Sequence, residues 1–185
     1  LEPQPSCLKV LEILYKKDPN VVIEEKAIGE RAGTSRLFLS RKHPSLSTLS
    51  RQWIESIQNE KSYSPIQWDD EIEVETVTLD MLIEKYGMPR FCKIDVEGFE
   101  LEALKGLSKA IPALSVESLP ADIDIAIASV DYLSTLSSYE FNISMVEKMK
   151  LVFPNWIPVK DVKDYLASLP SNGRSGDVYA RLERS

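Results

Sequence analysis

Residues 91–107, FCKIDVEGFELEALKGL, constrain the fold of this 185-residue chain more than any other stretch. Residues 91–96 are mostly apolar and predict a buried strand, and residues 99–109 carry leucines at helical spacing. Asp95 and Glu97 lie where the strand would end and the helix begin, next to a glycine. The chain is therefore expected to contain a strand–turn–helix unit with two acids at its turn.

The same alternation of strand and helix continues through the rest of the chain. Strands are predicted at residues 20–25, 35–40, 72–77, 91–96, 113–118, 139–144 and 177–182, and helices at residues 6–17, 78–86, 99–109 and 124–137. Such alternation predicts an α/β fold with a doubly wound, mostly parallel sheet and helices on both faces. Residues 41–70 are polar and are predicted to form an irregular excursion over the site, where we expect substrate choice to be determined.

Charge and cysteine content narrow the possible functions. The length suits one domain spanning residues 1–185. The net charge of −7 and the pI of about 4.9 argue against a nucleic-acid-binding module, which usually carries a basic surface. No apolar run is long enough to predict a membrane span. Cys7 and Cys92 lack the spacing of a zinc site, so we expect no structural metal and a reducing, cytoplasmic location.

The acids at the turn after residue 94 have two possible roles. In a doubly wound sheet, ligands bind just beyond the carboxyl ends of the strands, which is where Asp95 and Glu97 are predicted to lie. The simpler alternative is that they only stabilise the N-terminus of the following helix. Because Glu117 ends another predicted strand, the pattern favours a ligand site.

A further acid, Glu2, precedes a proline and the first predicted helix. In nucleotide-binding α/β units, an acid at the end of the second strand binds the ribose hydroxyls, about 20 residues after a glycine-rich turn. Glu2 resembles that acid, and no later segment supplies the glycine turn. We therefore expect the natural protein to continue upstream of residue 1.

Four segments together resemble one family. They are LEPQPSCLKVL, VVIEEKAIGERAGTSRLFL, SLSTL and VETVTLDMLIEKYGMPRFCKIDVEGFELEALKGL, and they resemble the FkbM family of S-adenosylmethionine-dependent methyltransferases over most of residues 1–119. The pattern DVEGxExxxLxG at residues 95–106 is the most specific part, and from residue 120 the similarity is one of architecture. The resemblance implies a Rossmann-like class I methyltransferase fold with one antiparallel strand, and methylation of hydroxyl groups on sugars or natural products.

The resemblance also implies roles for residues on the cofactor side. Glu2 matches the acid that binds the cofactor ribose. Residues Lys26, Ala27 and Ile28 match the segment that lines the adenine. Asp95 matches the acid near the methionine end and the transferable methyl group. Glu97 belongs to the same motif and is expected to bind cofactor or substrate, or to hold the loop.

Residues on the acceptor side are expected in the excursion and at the end of a later strand. Ser47 and Thr48 match a family segment that closes over the site, and Glu117 is assigned to the same side. Asp95 is the first candidate for the general base, because a neighbouring acid can raise a carboxyl pKa. His43, the only histidine, is the second candidate. The acids Asp95, Glu97 and Glu117 are also oxygen donors suited to magnesium or calcium, but they lack ligand spacing, and no metal is predicted.

Two other functions remain open from the sequence. The family's first strand and glycine-rich loop have no counterpart in these residues. The natural protein therefore either continues upstream or is a remodelled relative that acts as a non-catalytic binding or interaction domain. A dehydrogenase-like nucleotide binder would share the ribose acid but gives the DVEG turn no role. The predicted partner is a small-molecule or carbohydrate acceptor, and the oligomeric state cannot be derived from the sequence.

Overall fold

The computed structural model describes residues 1–58, 65–146, 150–170 and 173–183. The helices in this part of the chain are α1 (Pro5–Tyr15), α2 (Arg51–Ile57), α3 (Leu79–Tyr86), α4 (Glu100–Lys105), α5 (Ile123–Leu136) and α6 (Val159–Ser168). The strands are β1 (Ala27–Ile28), β2 (Gly33–Leu39), β3 (Asp70–Val77), β4 (Cys92–Ile94), β5 (Ala113–Ser118), β6 (Tyr139–Met145) and β7 (Gly176–Leu182). No helix among the described residues is both long and apolar enough to cross a bilayer.

The fold is α/β, but its described strands form two mixed sheets instead of one mostly parallel sheet. The first sheet has the order β1-β3-β2, with β1 parallel and β2 antiparallel to β3. The second has the order β4-β5-β7-β6, with β4 and β5 parallel and β7 antiparallel to both of its neighbours. The α/β class is therefore as predicted, but the described strands do not form the single, mostly parallel sheet of the prediction. The prediction missed how extensively β2 pairs along β3, which makes most of the first sheet antiparallel.

The main hydrophobic core lies between the second sheet and helices α4, α5 and α6. Leu104 and Leu107 are almost fully buried there, as the helical spacing of the leucines predicts. Leu133 of α5 and Leu166 of α6 complete the layer from the neighbouring helices. Burying such side chains stabilises the fold by about 1.5–3 kcal/mol each. This layer fixes β4 and β5, whose carboxyl ends carry the predicted acids.

The chain between residues 18 and 26 differs from the prediction of a strand at residues 20–25. Val21 and Val22 are exposed, and β1 begins only at Ala27. The backbone N–H of Glu2 donates to the carbonyl oxygen of Glu24 at 3.0 Å. This segment therefore follows the N-terminal residues instead of joining a sheet.

The excursion predicted at residues 41–70 contains regular structure that the sequence analysis missed. A short 3-10 helix spans Pro44–Leu46, and α2 follows it with Trp53, Ile54 and Ile57 buried. The Oγ atom of Ser50 accepts a hydrogen bond from the backbone N–H of Trp53 at 3.0 Å, which caps the N-terminus of α2. Residues 59–64 of the excursion lie outside the described residues.

Candidate active site

A cavity of about 410 Å³ opens between the N-terminal residues, the first sheet and the turn after β4. Residues predicted for the cofactor line it: Glu2, Lys26, Ala27, Ile28, Asp95 and Glu97. The predicted substrate-side residues Ser47 and Thr48 line it as well. The structure thus brings together residues that lie up to 95 positions apart in the sequence.

One end of the cavity is organised by Glu2 and Gln4. A carboxylate oxygen of Glu2 accepts the backbone N–H of Gln4 at 2.8 Å. The side chain of Gln4 accepts a hydrogen bond from the Ser47 hydroxyl at 3.0 Å and donates one to the carbonyl of Pro44 at 3.1 Å. Gln4 therefore ties the N-terminal segment to residues 44–47. The sequence analysis missed this role, because a single glutamine carries no motif.

Part of the cavity lining is apolar. Ala27 and Ile28 of β1 are buried, and Leu37 of β2 and Phe99 extend the same lining. The ammonium group of Lys26 pairs with Glu75 on β3, with 2.5 Å between the charged atoms. This wall offers contact area for a flat, apolar group.

Acids that follow β4 and β5 lie close together because these strands are parallel neighbours. Ile94 pairs with Val116 in this register, so the residues that follow, Asp95 and Glu117, reach the same edge of the sheet. Asp95, Glu97 and Glu117 each place a carboxylate oxygen within 4.8 Å of the others. We call these three residues the acid cluster. Asp95 and Glu97 line the cavity directly, whereas Glu117 lies beside a small adjoining void with Glu100 and Trp53.

Lys93 pairs with the acid cluster from β4. Its ammonium nitrogen lies 2.9 Å from an Asp95 oxygen and 3.0 Å from an oxygen of Asp177 on β7. Burial lowers the pKa of Lys93, but the hydrogen bonds to Asp95 and Asp177 outweigh it and hold that pKa above its ordinary value. Asp177 was not predicted as a site residue, because the sequence does not show that β7 lies beside β5.

The other carboxyls of this region are shifted toward the neutral form. Burial raises the pKa of Glu97 to about 8, with further contributions from the charges of Asp95 and Glu100. Burial also raises the pKa of Glu117 to about 9, assisted by the charges of Glu97 and Asp95. Glu100 is almost fully buried, and this raises its pKa to about 7 although backbone N–H groups donate to it. At neutral pH Glu97 and Glu117 therefore hold protons.

The backbone of the acid turn adopts an uncommon conformation that its neighbours hold in place. Glu97 has φ of 52° and Gly98 has φ of 78°, both in the left-handed region. The Thr48 hydroxyl donates to the carbonyl of Glu97 at 2.6 Å. A carboxylate oxygen of Glu100 accepts the N–H groups of Val96 at 3.1 Å and Gly98 at 3.2 Å. The turn is thus fixed from both the excursion and α4.

Trp53 of α2 closes against the same turn. A Cβ atom at position 98 would overlap the Trp53 side chain, so only glycine permits this approach. Trp53 is almost fully buried and packs edge-on against Trp68, with 5.9 Å between the ring centroids. The sequence analysis did not assign Trp53 or Glu100 to the site, because their contacts depend on tertiary packing.

His43, the second candidate for the general base, is exposed and precedes the short 3-10 helix at Pro44–Leu46. It is not among the residues that line the cavity, although the adjacent Pro44 is.

Residues 1–132 match a family model described as the methyltransferase FkbM domain. The match includes every residue that lines the cavity and all three residues of the acid cluster. No curated protein and no solved structure matches the chain significantly.

Proposed function

Because the chain belongs to the FkbM family of methyltransferases, we propose that it transfers the methyl group of S-adenosylmethionine to a hydroxyl group of a sugar or natural product. The observation that carries the proposal is the cavity that joins Glu2, the β1 wall and two members of the acid cluster, Asp95 and Glu97. The alternative of a non-catalytic interaction domain has no comparable support, since it gives these residues no common purpose.

The cavity fits the proposed cofactor in size and chemistry. Its volume of about 410 Å³ lies within the range of roughly 300–1,000 Å³ that is usual for small-molecule sites. Its lining contains the apolar residues Ala27 and Ile28 and the acidic residues Asp95 and Glu97. The apolar residues suit the flat aromatic base of S-adenosylmethionine, and the acidic residues suit its positively charged sulfonium centre.

The proposal assigns each part of the cavity a task. Glu2 accepts hydrogen bonds from the ribose hydroxyls, and Ala27 and Ile28 contact the adenine. Asp95 and Glu97 face the methionine end of the cofactor, which carries the positively charged sulfonium. Once bound, the cofactor supplies a methyl group on a sulfonium, which is reactive toward an oxygen nucleophile. The chain's main contribution is to hold the acceptor oxygen in line with that group, at about 3 Å.

Asp95 is the proposed acceptor of the hydroxyl proton. Its carboxylate lines the cavity and pairs with Lys93 at 2.9 Å, whereas Glu97 and Glu117 hold protons at neutral pH. A positioned base of this kind contributes about 10²–10⁴-fold to the rate. His43 lies outside the cavity lining, and the proposal gives it no part in proton transfer. Ser47 and Thr48 are proposed to contact the acceptor from the opposite side.

Calorimetric titration of S-adenosylhomocysteine into the full-length protein tests this function. We expect saturable binding that weakens about tenfold or more in Asp95→Ala, since S-adenosylhomocysteine keeps the ammonium group of its amino-acid part and a charge-assisted hydrogen bond from that group contributes about 1.5–3 kcal/mol. Asp164→Ala is the matched control, because Asp164 also pairs with a lysine, at 2.6 Å, but lies on α6. A folded protein that produces no binding heat at millimolar ligand would contradict the proposal and favour the interaction domain.

A further inference from the structure

If all of its carboxyls were ionised, the acid cluster would carry more negative charge than its cationic neighbour can balance. Three carboxyls have oxygens within 4.8 Å of one another. The carboxylate of Glu100 accepts the backbone N–H of Gly98 in the same turn. Lys93 is the cation in contact with the cluster among the described residues, and Asp177 shares it.

The charged groups around Glu97 come from each element packed against it. β4 and its turn supply Lys93 and Asp95, α4 supplies Glu100, β5 supplies Glu117, and β7 supplies Asp177. The excursion contributes the uncharged Thr48 and Trp53. Asp122, which precedes α5, lines the small void beside Glu117, and Glu2 and Lys26 lie across the cavity.

The geometry indicates that a positive charge able to balance the acid cluster would reach it from the cavity. The left-handed turn places Glu97 in the cavity lining, and Glu117 lies behind it. The Oε2 atom of Glu117 is buried, and the Glu117 carboxyl shares a hydrogen bond with Asp95 when it carries a proton. Carboxyls this close cannot all ionise, so the cluster retains protons until a positive charge approaches from the cavity.

We propose that the acid cluster releases a proton when the cofactor's sulfonium binds, so that the site favours the charged cofactor over the neutral thioether product. This inference rests on the proposed function and concerns the same cavity. A positive charge near Glu97 stabilises its ionised form, and by linkage the ionised form binds the sulfonium more tightly. Once the methyl group has left, the positive charge is gone and the cluster takes up a proton again. Because the product lacks the sulfonium charge, its affinity for the site is lower than that of the cofactor.

The experiment compares S-adenosylmethionine with S-adenosylhomocysteine, which differ by the methyl group and the charge it creates. Binding heats are measured between pH 6 and 8 in phosphate and in Tris, with EDTA present, because the difference between buffers counts the protons released. We expect about one proton released per S-adenosylmethionine at pH 7 and clearly fewer for S-adenosylhomocysteine. The affinity for S-adenosylmethionine should rise by up to about tenfold per pH unit below pH 8, as linkage requires for one proton.

Two variants test whether the proton released on binding comes from the acid cluster. Glu97→Gln and Glu117→Gln should each lower the proton release and flatten the pH dependence of S-adenosylmethionine binding. Glu73→Gln should leave both unchanged, because Glu73 is an exposed residue of β3 that does not line the cavity.

The outcomes separate this inference from the proposed function. Equal proton release for both ligands, or none for either while both bind, would overturn the inference and leave the methyltransferase proposal intact. Binding of neither ligand would overturn both. If magnesium chloride alone, titrated without EDTA, releases the same proton and blocks S-adenosylmethionine, the cluster serves a metal and the inference is wrong.

Discussion

Gly98 shows how much of the site depends on a single residue. It adopts φ of 78°, which most side chains avoid, and it lies under the Trp53 indole. The residue before it, Glu97, shares the left-handed conformation without being glycine. Such a residue persists only where its surroundings hold it, here the Thr48 hydroxyl and the Glu100 carboxylate. The strain therefore lies where the acid cluster meets the cavity.

Replacing Gly98 with alanine should strongly destabilise the protein. The positive φ alone costs about 1–2 kcal/mol, and overlap with Trp53 adds to it. We expect a total loss of about 3 kcal/mol or more, measured as the free energy of unfolding in urea. Gly87→Ala is the control, since Gly87 has φ of 86° but nothing within 4 Å of the added Cβ. It should cost about 1–3 kcal/mol, because φ of 86° with ψ of 171° is a conformation nearly restricted to glycine. Equal losses in the two variants would show that Trp53 does not constrain the turn.

At the scale of elements, α2 connects the excursion to the acid turn. Its buried face carries Trp53, Ile54 and Ile57, which form a small core with Phe38 and Trp68. This helix is short, and helices of seven residues are unstable on their own, so its cap and its packing determine whether it forms.

Ser50→Ala removes the cap of α2 and should lower stability by about 1 kcal/mol, or roughly 2–4 °C in Tm. Differential scanning calorimetry measures this shift. Ser6→Ala, an exposed change in the first turn of α1, should shift Tm by less than about 1 °C. If Ser50→Ala also leaves Tm unchanged, the hydrogen bond to Trp53 does not stabilise α2.

Elements with a strong local pattern could be predicted from the sequence. The β4–α4 unit was placed correctly because apolar residues, acids and glycine follow one another in order, and β5 was predicted at its observed residues. The strand at residues 20–25 was wrong, because its valines suggest burial that the fold does not provide. Helix α2 was missed because its apolar residues lie in a polar stretch.

The site residues that directly follow parallel strands could be predicted from the sequence. Asp95, Glu97 and Glu117 lie close together as their positions after parallel strands imply. Gln4, Glu100 and Asp177 could not be identified in this way. Their roles arise from contacts with residues distant in the sequence or from burial, which no local pattern encodes.

At the scale of the whole molecule, the acid cluster couples stability to pH. Glu117 has a raised pKa of about 9 in the folded chain and an ordinary value of 4.5. The folded state therefore binds a proton that the unfolded state has lost between these values. Its contribution to stability is fully present below about pH 4.5 and is lost as pH rises toward 9.

Glu117→Gln should flatten this dependence. We expect the wild-type free energy of unfolding to fall by about 1–3 kcal/mol between pH 5 and pH 8.5, and the variant to lose clearly less. Urea denaturation at both pH values measures the difference, and Glu73→Gln should behave like the wild type. An unchanged pH dependence in Glu117→Gln would mean that Glu117 is not protonated in the folded protein.

A crystal structure of the full-length protein with S-adenosylhomocysteine tests the central claim most directly. The account predicts the adenine against Ala27 and Ile28, the ribose at Glu2, and the sulfur near Asp95 and Glu97. Density for the ligand outside this cavity, or none at a saturating concentration that leaves the fold intact, would contradict it.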